Sequence, residues 1–206
     1  MRFASGLLTV TLLLLAGCST DLTERNVRRF VDDADHAFLA GHAADICNMR
    51  SDDFKFTGTT FKPAEGRTVS GLEEAMKIDR ERQDAGERSS AEVVTMNARD
   101  YCRMAIVSRQ LYRRMSLVRT SLEISVSPDH KQATVRAHYV VKAPEYVYDS
   151  STLSRQDRVE NQVGTTQTES DEESVVTQNA QGKLVFSSTH ATSWEFHVEK
   201  ERDSRL

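Results

Sequence analysis

The last stretch of the sequence carries its most informative titratable residue, His190. Its neighbours at alternate positions include Phe186, Trp194 and Phe196, a pattern typical of a half-buried strand. A histidine on such an apolar face could act as a base or as a polar contact inside a pocket. The alternative is a core or interface histidine bonded to a neighbouring threonine or backbone carbonyl. The sequence favours this second interpretation.

Other chemistries lack the residue patterns they need. His36 and His42 are six residues apart, whereas a helical zinc pair needs an i, i+4 spacing, so no metal site is predicted. The sequence contains no Gly-x-Ser-x-Gly elbow, P-loop or Gly-x-Gly-x-x-Gly motif, so serine hydrolysis and nucleotide binding have no support. The formal net charge of −4 argues against a nucleic-acid partner. We therefore predict no catalytic residue and no cofactor.

The N-terminus carries a targeting signal that ends in Leu15-Ala16-Gly17-Cys18. Arg2 gives the signal a positively charged N-terminal region, and the apolar run over residues 7–15 is too short to span a bilayer. The segment resembles the signal of bacterial lipoproteins. This resemblance implies that residues 1–17 are removed and that Cys18 receives a diacylglyceryl group and an N-acyl chain such as palmitate. Ser19 implies the outer membrane of a Gram-negative cell, facing the periplasm. The alternative is a secreted protein with a chance cysteine after its cleavage site.

Cys47 and Cys102 form an even pair once Cys18 carries lipid. Because the periplasm is oxidising, a disulfide between them is the simplest interpretation. The alternative is two buried thiols. No Cys-x-x-Cys occurs, so a thioredoxin-type redox role is unsupported.

The patterning predicts one α+β domain over residues 23–198, after a lipidated tether at 18–22 and before a charged tail at 199–206. Asp21 and Glu24 fit a helix-capping arrangement, and Gly41 suits a helix end. We expect Ser51-Asp52-Asp53 to break the second helix and residues 144–161 to form a loop or irregular edge. The predicted helices cover residues 21–41, 42–50, 71–84 and 100–115. One predicted strand begins near Phe54. Three others cover residues 122–126, 135–141 and 183–198.

This order of elements resembles the nuclear-transport-factor-2-like superfamily, which includes the SnoaL-like cyclases and ketosteroid isomerases. The resemblance is carried by Phe38-Leu39-Ala40-Gly41, Ala43-Ala44, Asp52-Asp53-Phe54-Lys55-Phe56 and the strand from Gly182 to Trp194. It implies N-terminal helices packed on a curved antiparallel sheet, a cystatin-like cone with a pocket at its open end. Many members dimerise through the sheet, so a homodimer is implied as well. The pocket residues we expect are Phe30, Phe38, Tyr139, Phe186, His190 and Trp194.

The isomerases of that superfamily use an aspartate base with a tyrosine and a protonated aspartate as oxyanion donors. We could not assign that set in this sequence, and we expect Asp35 and Asp53 to lie on the solvated surface or at caps. Six arginines from Arg99 to Arg119 form a basic stripe, and residues 169–173 form an acidic run. The two could meet each other, lipid headgroups or a charged partner, but the sequence favours solvated surface for both. The sequence thus favours non-catalytic binding of a protein partner or a small apolar ligand. The alternative is an isomerase, cyclase or dehydratase.

Overall fold

A computed structural model describes residues 22–61, 71–89, 91–111, 114–148 and 160–199. The predicted lipoprotein signal with Cys18, the predicted cap Asp21 and residues 200–206 of the predicted tail lie outside these ranges. Four helices and six strands alternate along the chain: α1 Glu24–Ala40, α2 Ala43–Asn48, β1 Arg50–Phe61, α3 Leu72–Asp84, β2 Glu92–Asn97, α4 Ala98–Leu111, β3 Ser116–Val126, β4 Gln132–Tyr148, β5 Glu160–Gln178 and β6 Leu184–Glu199.

The strands form one curved sheet in the order β2-β1-β6-β5-β4-β3. Neighbouring strands are antiparallel except β1 and β6, which run parallel. The concave face packs on α1 through Val27, Val31, Phe54, Val135 and Val176. The predicted fold class, helices on a curved and mainly antiparallel sheet, is confirmed. Within the described ranges, no helix has both the length and the apolar character needed to cross a membrane.

The ends of α1 follow from its sequence, with one correction. Thr23, rather than Asp21, occupies the N-cap, and its Oγ1 accepts a hydrogen bond from the Asn26 backbone N–H at 3.3 Å. Gly41 ends the helix with φ 71°, a left-handed conformation that suits glycine at a helix C-terminus. Its backbone N–H therefore bonds the free carbonyls of Ala37 and Phe38.

Three other predictions need adjustment. Ser51-Asp52-Asp53 does not form a break, because α2 ends at Asn48 and these residues already belong to β1. The strand β2 at residues 92–97 was not predicted, and it pairs with β1 at the edge of the sheet. The predicted loop from residue 144 is strand as far as Tyr148, and β5 begins at Glu160.

The disulfide prediction is confirmed. Cys47 of α2 and Cys102 of α4 are bonded, with their Cα atoms 5.4 Å apart and a sequence separation of 55. Around the bond, Ala37, Ile46 and Ala105 form a small core that holds α1, α2 and α4 together. The bridge thus joins the two helices that flank one end of α1.

Candidate functional site

A cavity of about 150 Å³ lies between the C-terminal half of α1 and the concave face of the sheet. Its walls are mostly apolar, with Val31, Ala34, Phe38, Ile46, Leu117, Val135, Val141 and Phe186 among the lining residues. Polar side chains reach the same space from five elements: Asp35, Arg50, Tyr139, Ser170, Glu172, Ser174 and Thr189. An apolar concavity into which a few polar groups converge is the usual form of a small-molecule site.

One wall is organised by Asp35, which lies in the second half of α1. Tyr139 donates its hydroxyl to Oδ1 of Asp35 at 3.2 Å, and Arg119 donates to Oδ2 at 2.6 Å. The second terminal nitrogen of Arg119 bonds Asp32, one turn earlier on the same helix. Both oxygens of Asp35 are therefore engaged, and β3 and β4 are tied to α1.

The pKa values of this group follow from burial. Burial raises the pKa of Asp35 above its usual value, although the Arg119 charge and the Tyr139 hydrogen bond oppose that rise. Burial, reinforced by the Asp35 charge, also raises the pKa of Tyr139. Tyr139 thus keeps its proton at physiological pH and stays a hydrogen-bond donor.

Glu172 on β5 is the second carboxyl group in the cavity. Burial raises the pKa of Glu172 to about 7, with a further contribution from the Asp35 charge and an opposing one from Arg50. Its carboxyl group forms no hydrogen bond or salt bridge with another side chain in the described part of the chain. A carboxyl group that titrates near neutral pH inside an apolar cavity can donate a hydrogen bond or exchange a proton with a ligand.

Arg50 is placed by the junction of α2 and β1. As the first residue of β1 it pairs with Phe186 of β6, and its Nη1 donates to the Ile46 carbonyl at 3.0 Å. Its guanidinium carbon lies 4.6 Å, 4.9 Å and 5.5 Å from the ring centroids of Tyr101, Phe186 and Phe54. The cavity therefore has a cation held between aromatic rings.

Three of the six predicted pocket residues line this cavity: Phe38, Tyr139 and Phe186. Phe30 packs in the core behind it, with its ring centroid 4.8 Å from that of Phe186. Trp194 is buried on the other face of the sheet, where it packs against Leu72 and Ala75 of α3.

The placement predicted for His190 was wrong. A bulge at Ser187 inserts one residue into β6, so that Val176 pairs with Phe186 while Val175 pairs with Ser188. An extra residue reverses the facing of every residue that follows it. Thr189 consequently lines the cavity, and His190 is exposed on the outer face.

The sequence prediction missed the charged groups of the cavity. Asp35 was assigned to a solvated surface or cap, yet it is 24% exposed and ion-paired. Arg119 was assigned to a basic stripe, yet it binds α1 and is 19% exposed. Of the acidic run, Asp171 and Glu173 bind His138 and Arg136 on the outer face, whereas Glu172 points inward. Within the described ranges, no three side chains of the metal-binding types come together.

The architecture and the cavity define a helix-lined cone with an internal polar site. No protein-family model matches the sequence, and the comparison with curated proteins finds no significant match. Among solved structures it is similar to a protein described as "Putative Scytalone Dehydratase" from Novosphingobium aromaticivorans, with 11% identity, a TM-score of 0.49 and coverage of 88% of this chain and 93% of that one.

It is also similar to a protein described as a "putative ketosteroid isomerase" from Shewanella frigidimarina, with 9% identity, a TM-score of 0.43 and coverage of 79% and 91% of the two chains. An NTF2-like protein with a cystatin-like fold from Novosphingobium aromaticivorans has 9% identity, a TM-score of 0.45 and coverage of 81% and 78%. At these identities and TM-scores the similarities do not assign a function. The cavity is therefore the basis for the proposed function.

Proposed function

We propose that this protein is a lipoprotein of the outer membrane that binds a small, mostly apolar ligand with one polar end in its cone. The observation that carries the binding proposal is the cavity itself, an apolar space into which Arg50, Tyr139 and Glu172 project. A cavity of about 150 Å³ accommodates a compound the size of one six-membered ring. The open cavity supports a small ligand over a protein partner, for which a filled pocket would be expected.

The lipid anchor is supported by the sequence Leu15-Ala16-Gly17-Cys18 and by the short apolar run before it. The diacylglyceryl group on Cys18 would supply at least two acyl chains, which is enough for stable anchoring. Ser19 supports retention at the outer membrane. The protein would then present its cavity to solutes of the periplasm.

The test is native mass spectrometry of the full chain with Cys18→Ser, purified from the periplasm without detergent. We expect a small-mass adduct that is lost when Ala34→Phe fills the cavity. Ala34 lines the cavity, whereas Ala44 is exposed on α2, so Ala44→Phe is the matched control and should keep the adduct. The binding proposal is refuted if the protein carries no adduct and a panel of single-ring compounds also fails to bind.

A second candidate function is proton-transfer catalysis of the isomerase or dehydratase type. The observation that favours it is the pKa of Glu172, which burial raises to about 7, the range that suits general acid–base catalysis near neutral pH. The hydrogen bonds to both oxygens of Asp35 argue against catalysis, because the cavity then has one free carboxyl group rather than two. Incubation of the identified ligand distinguishes the two functions. A binding protein returns the ligand unchanged, and an enzyme converts it at a rate that Glu172→Gln abolishes.

A further inference from the structure

We infer that the ligand of the cavity is a small organic monocarboxylate, held by the guanidinium of Arg50 and bound together with a proton on Glu172. This inference rests on the proposed function, because it names the chemical class of ligand for the same cavity. Two observations support it: the contacts that Arg50 makes, and the position of Glu172 across the cavity from α1.

Arg50 is a partly buried cation that forms no salt bridge with a described residue, although its charge interacts with the carboxyl group of Glu172 when that group is ionised. A guanidinium group has five N–H donors, and the hydrogen bond that the structure gives it runs from Nη1 to the Ile46 carbonyl. Its Nε is buried and has no hydrogen-bond partner in the described part of the chain. The rings of Tyr101, Phe186 and Phe54 attract the cation but supply no anion. A buried charge in this state favours an anionic ligand.

The carboxyl groups of the cavity do not fill that role. Asp35 is already neutralised, since Arg119 and Tyr139 occupy its two oxygens. Glu172 faces Asp35 from α1, Arg50 from β1 and Tyr139 from β4. Below its raised pKa of about 7, Glu172 is neutral. The cavity then offers one unpaired cation and one carboxyl O–H donor, which together complement a carboxylate.

The same charges disfavour other ionic ligands. An ammonium group would be repelled by Arg50, and a phosphate dianion would find only one unpaired cation for its two negative charges. A planar carboxylate matches the fork of a guanidinium group, which can bind it through two parallel hydrogen bonds. The apolar walls and the volume of about 150 Å³ accept one ring beside that carboxylate, so benzoate is a suitable probe.

The experiment is isothermal titration calorimetry of the purified full-length protein with benzoate, neutral benzamide and cationic benzylamine. We expect benzoate to bind at least about tenfold more tightly than benzamide, because a hydrogen bond to a charged group contributes about 1.5–3 kcal/mol. Benzoate affinity should fall as the pH rises through 7, approaching about tenfold per pH unit, because ionised Glu172 repels the ligand.

Two variants separate the contributions. Glu172→Gln should keep the benzoate affinity measured at pH 6 and lose its pH dependence. Arg50→Met should lose the preference for benzoate over benzamide, whereas Arg136→Met, on the outer face of the sheet, should keep it. Arg50 also packs against aromatic rings, so Arg50→Met could unfold the protein. The pH profile of Glu172→Gln tests the inference without requiring that Arg50→Met folds.

The outcomes distinguish this inference from the proposed function. If benzamide or benzylamine binds as tightly as benzoate, the carboxylate assignment is wrong while the cavity remains a binding site. A benzoate affinity independent of pH in the wild-type protein overturns the role of the proton on Glu172. If none of the three probes binds, both the carboxylate inference and the proposed binding of a single-ring ligand are refuted.

Discussion

Asp35 and Glu172 show how neighbouring residues give two carboxyl groups of one cavity different properties. Arg119 and Tyr139 hold Asp35 in place, so its charge fixes α1 against β3 and β4. Glu172 lacks such partners among the described residues and is more easily protonated. The first group supports the cavity wall, and the second is available to a ligand.

The free carboxyl group has a consequence for stability that can be measured. The pKa of Glu172 rises from 4.5 to about 7 on folding, so the folded state binds the proton more tightly than the unfolded state. This group therefore lowers the free energy of unfolding as the pH rises from about 4.5 to 7. Glu172→Gln removes the buried charge and should raise the free energy of unfolding by roughly 1–3 kcal/mol at pH 8, with little effect at pH 4.

Urea unfolding at the two pH values checks this prediction. Glu169→Gln is a useful control, because Glu169 lies on the same strand and lines a different groove together with Gly71 and His138. An equal effect of Glu172→Gln at both pH values would contradict a raised pKa for this carboxyl group.

Alternation along β5 could have identified Glu172 from the sequence. Ser170, Glu172, Ser174 and Val176 share one face, and Glu169, Asp171 and Glu173 share the other. When the five residues are considered as one acidic run, this difference is lost. The exposure of His190 could not have been predicted in the same way, because strict alternation fails at the bulge and nothing near Ser187 marks an extra residue. The pairing of Arg119 with Asp35 joins residues 84 apart, which local patterns do not reveal.

At the level of elements, prediction succeeded where periodicity is strong. The helix α4 was predicted because its apolar residues recur at helical spacing, and the β3–β4 hairpin was predicted because its apolar residues alternate with polar ones. The edge strand β2 was missed because it is short and Val93 is 64% exposed. The strand β5 was not assigned from the sequence, because its Thr, Gln and Glu residues give only weak alternation. Its strand conformation depends on pairing with β4 and β6 on both sides.

The disulfide acts on elements rather than on single residues. It joins α2 to α4 across 55 residues of sequence, and both helices contribute to the cavity, through Ile46 and Tyr101. In the chain-entropy model, a crosslink of this separation lowers the conformational entropy of the unfolded chain and so raises the free energy of the unfolded state by about 4 kcal/mol. We therefore expect the double variant Cys47→Ala/Cys102→Ala to lose about 2–4 kcal/mol of unfolding free energy.

Urea unfolding with and without dithiothreitol tests this expectation. Reductant should lower the midpoint of the wild-type protein towards that of the double variant and leave the double variant unchanged. Mass analysis after alkylation should detect no free thiol at Cys47 or Cys102 in the protein isolated from the periplasm. A wild-type midpoint insensitive to full reduction would show that the bridge does not stabilise the fold.

At the scale of the whole molecule, the cavity lies towards the C-terminal end of α1, and the proposed anchor precedes the N-terminal end of this helix in sequence. Leu22, just before α1, is 3% exposed, and its carbonyl lies 3.4 Å from Nδ1 of His130 in the β3–β4 turn. The cavity instead contacts the second half of α1, from Val31 to Phe38. Leu22 is four positions after Cys18, a distance that a fully extended chain spans in about 14 Å. A lipid on Cys18 would therefore hold the β3–β4 turn near the bilayer and the cavity end away from it.

This arrangement predicts both attachment and orientation. Cys18→Ser should move the protein from the membrane fraction to the soluble periplasmic fraction, since it removes the site of the proposed lipid. In liposomes containing nitroxide lipids, a fluorophore attached through Lys131→Cys in the β3–β4 turn should be quenched more strongly than one attached through Asp45→Cys on α2. Both positions are exposed, so the comparison reports distance from the lipid. Membrane retention of Cys18→Ser would contradict the anchor, and stronger quenching at position 45 would contradict the orientation, in which α2 and the cavity end face the periplasm.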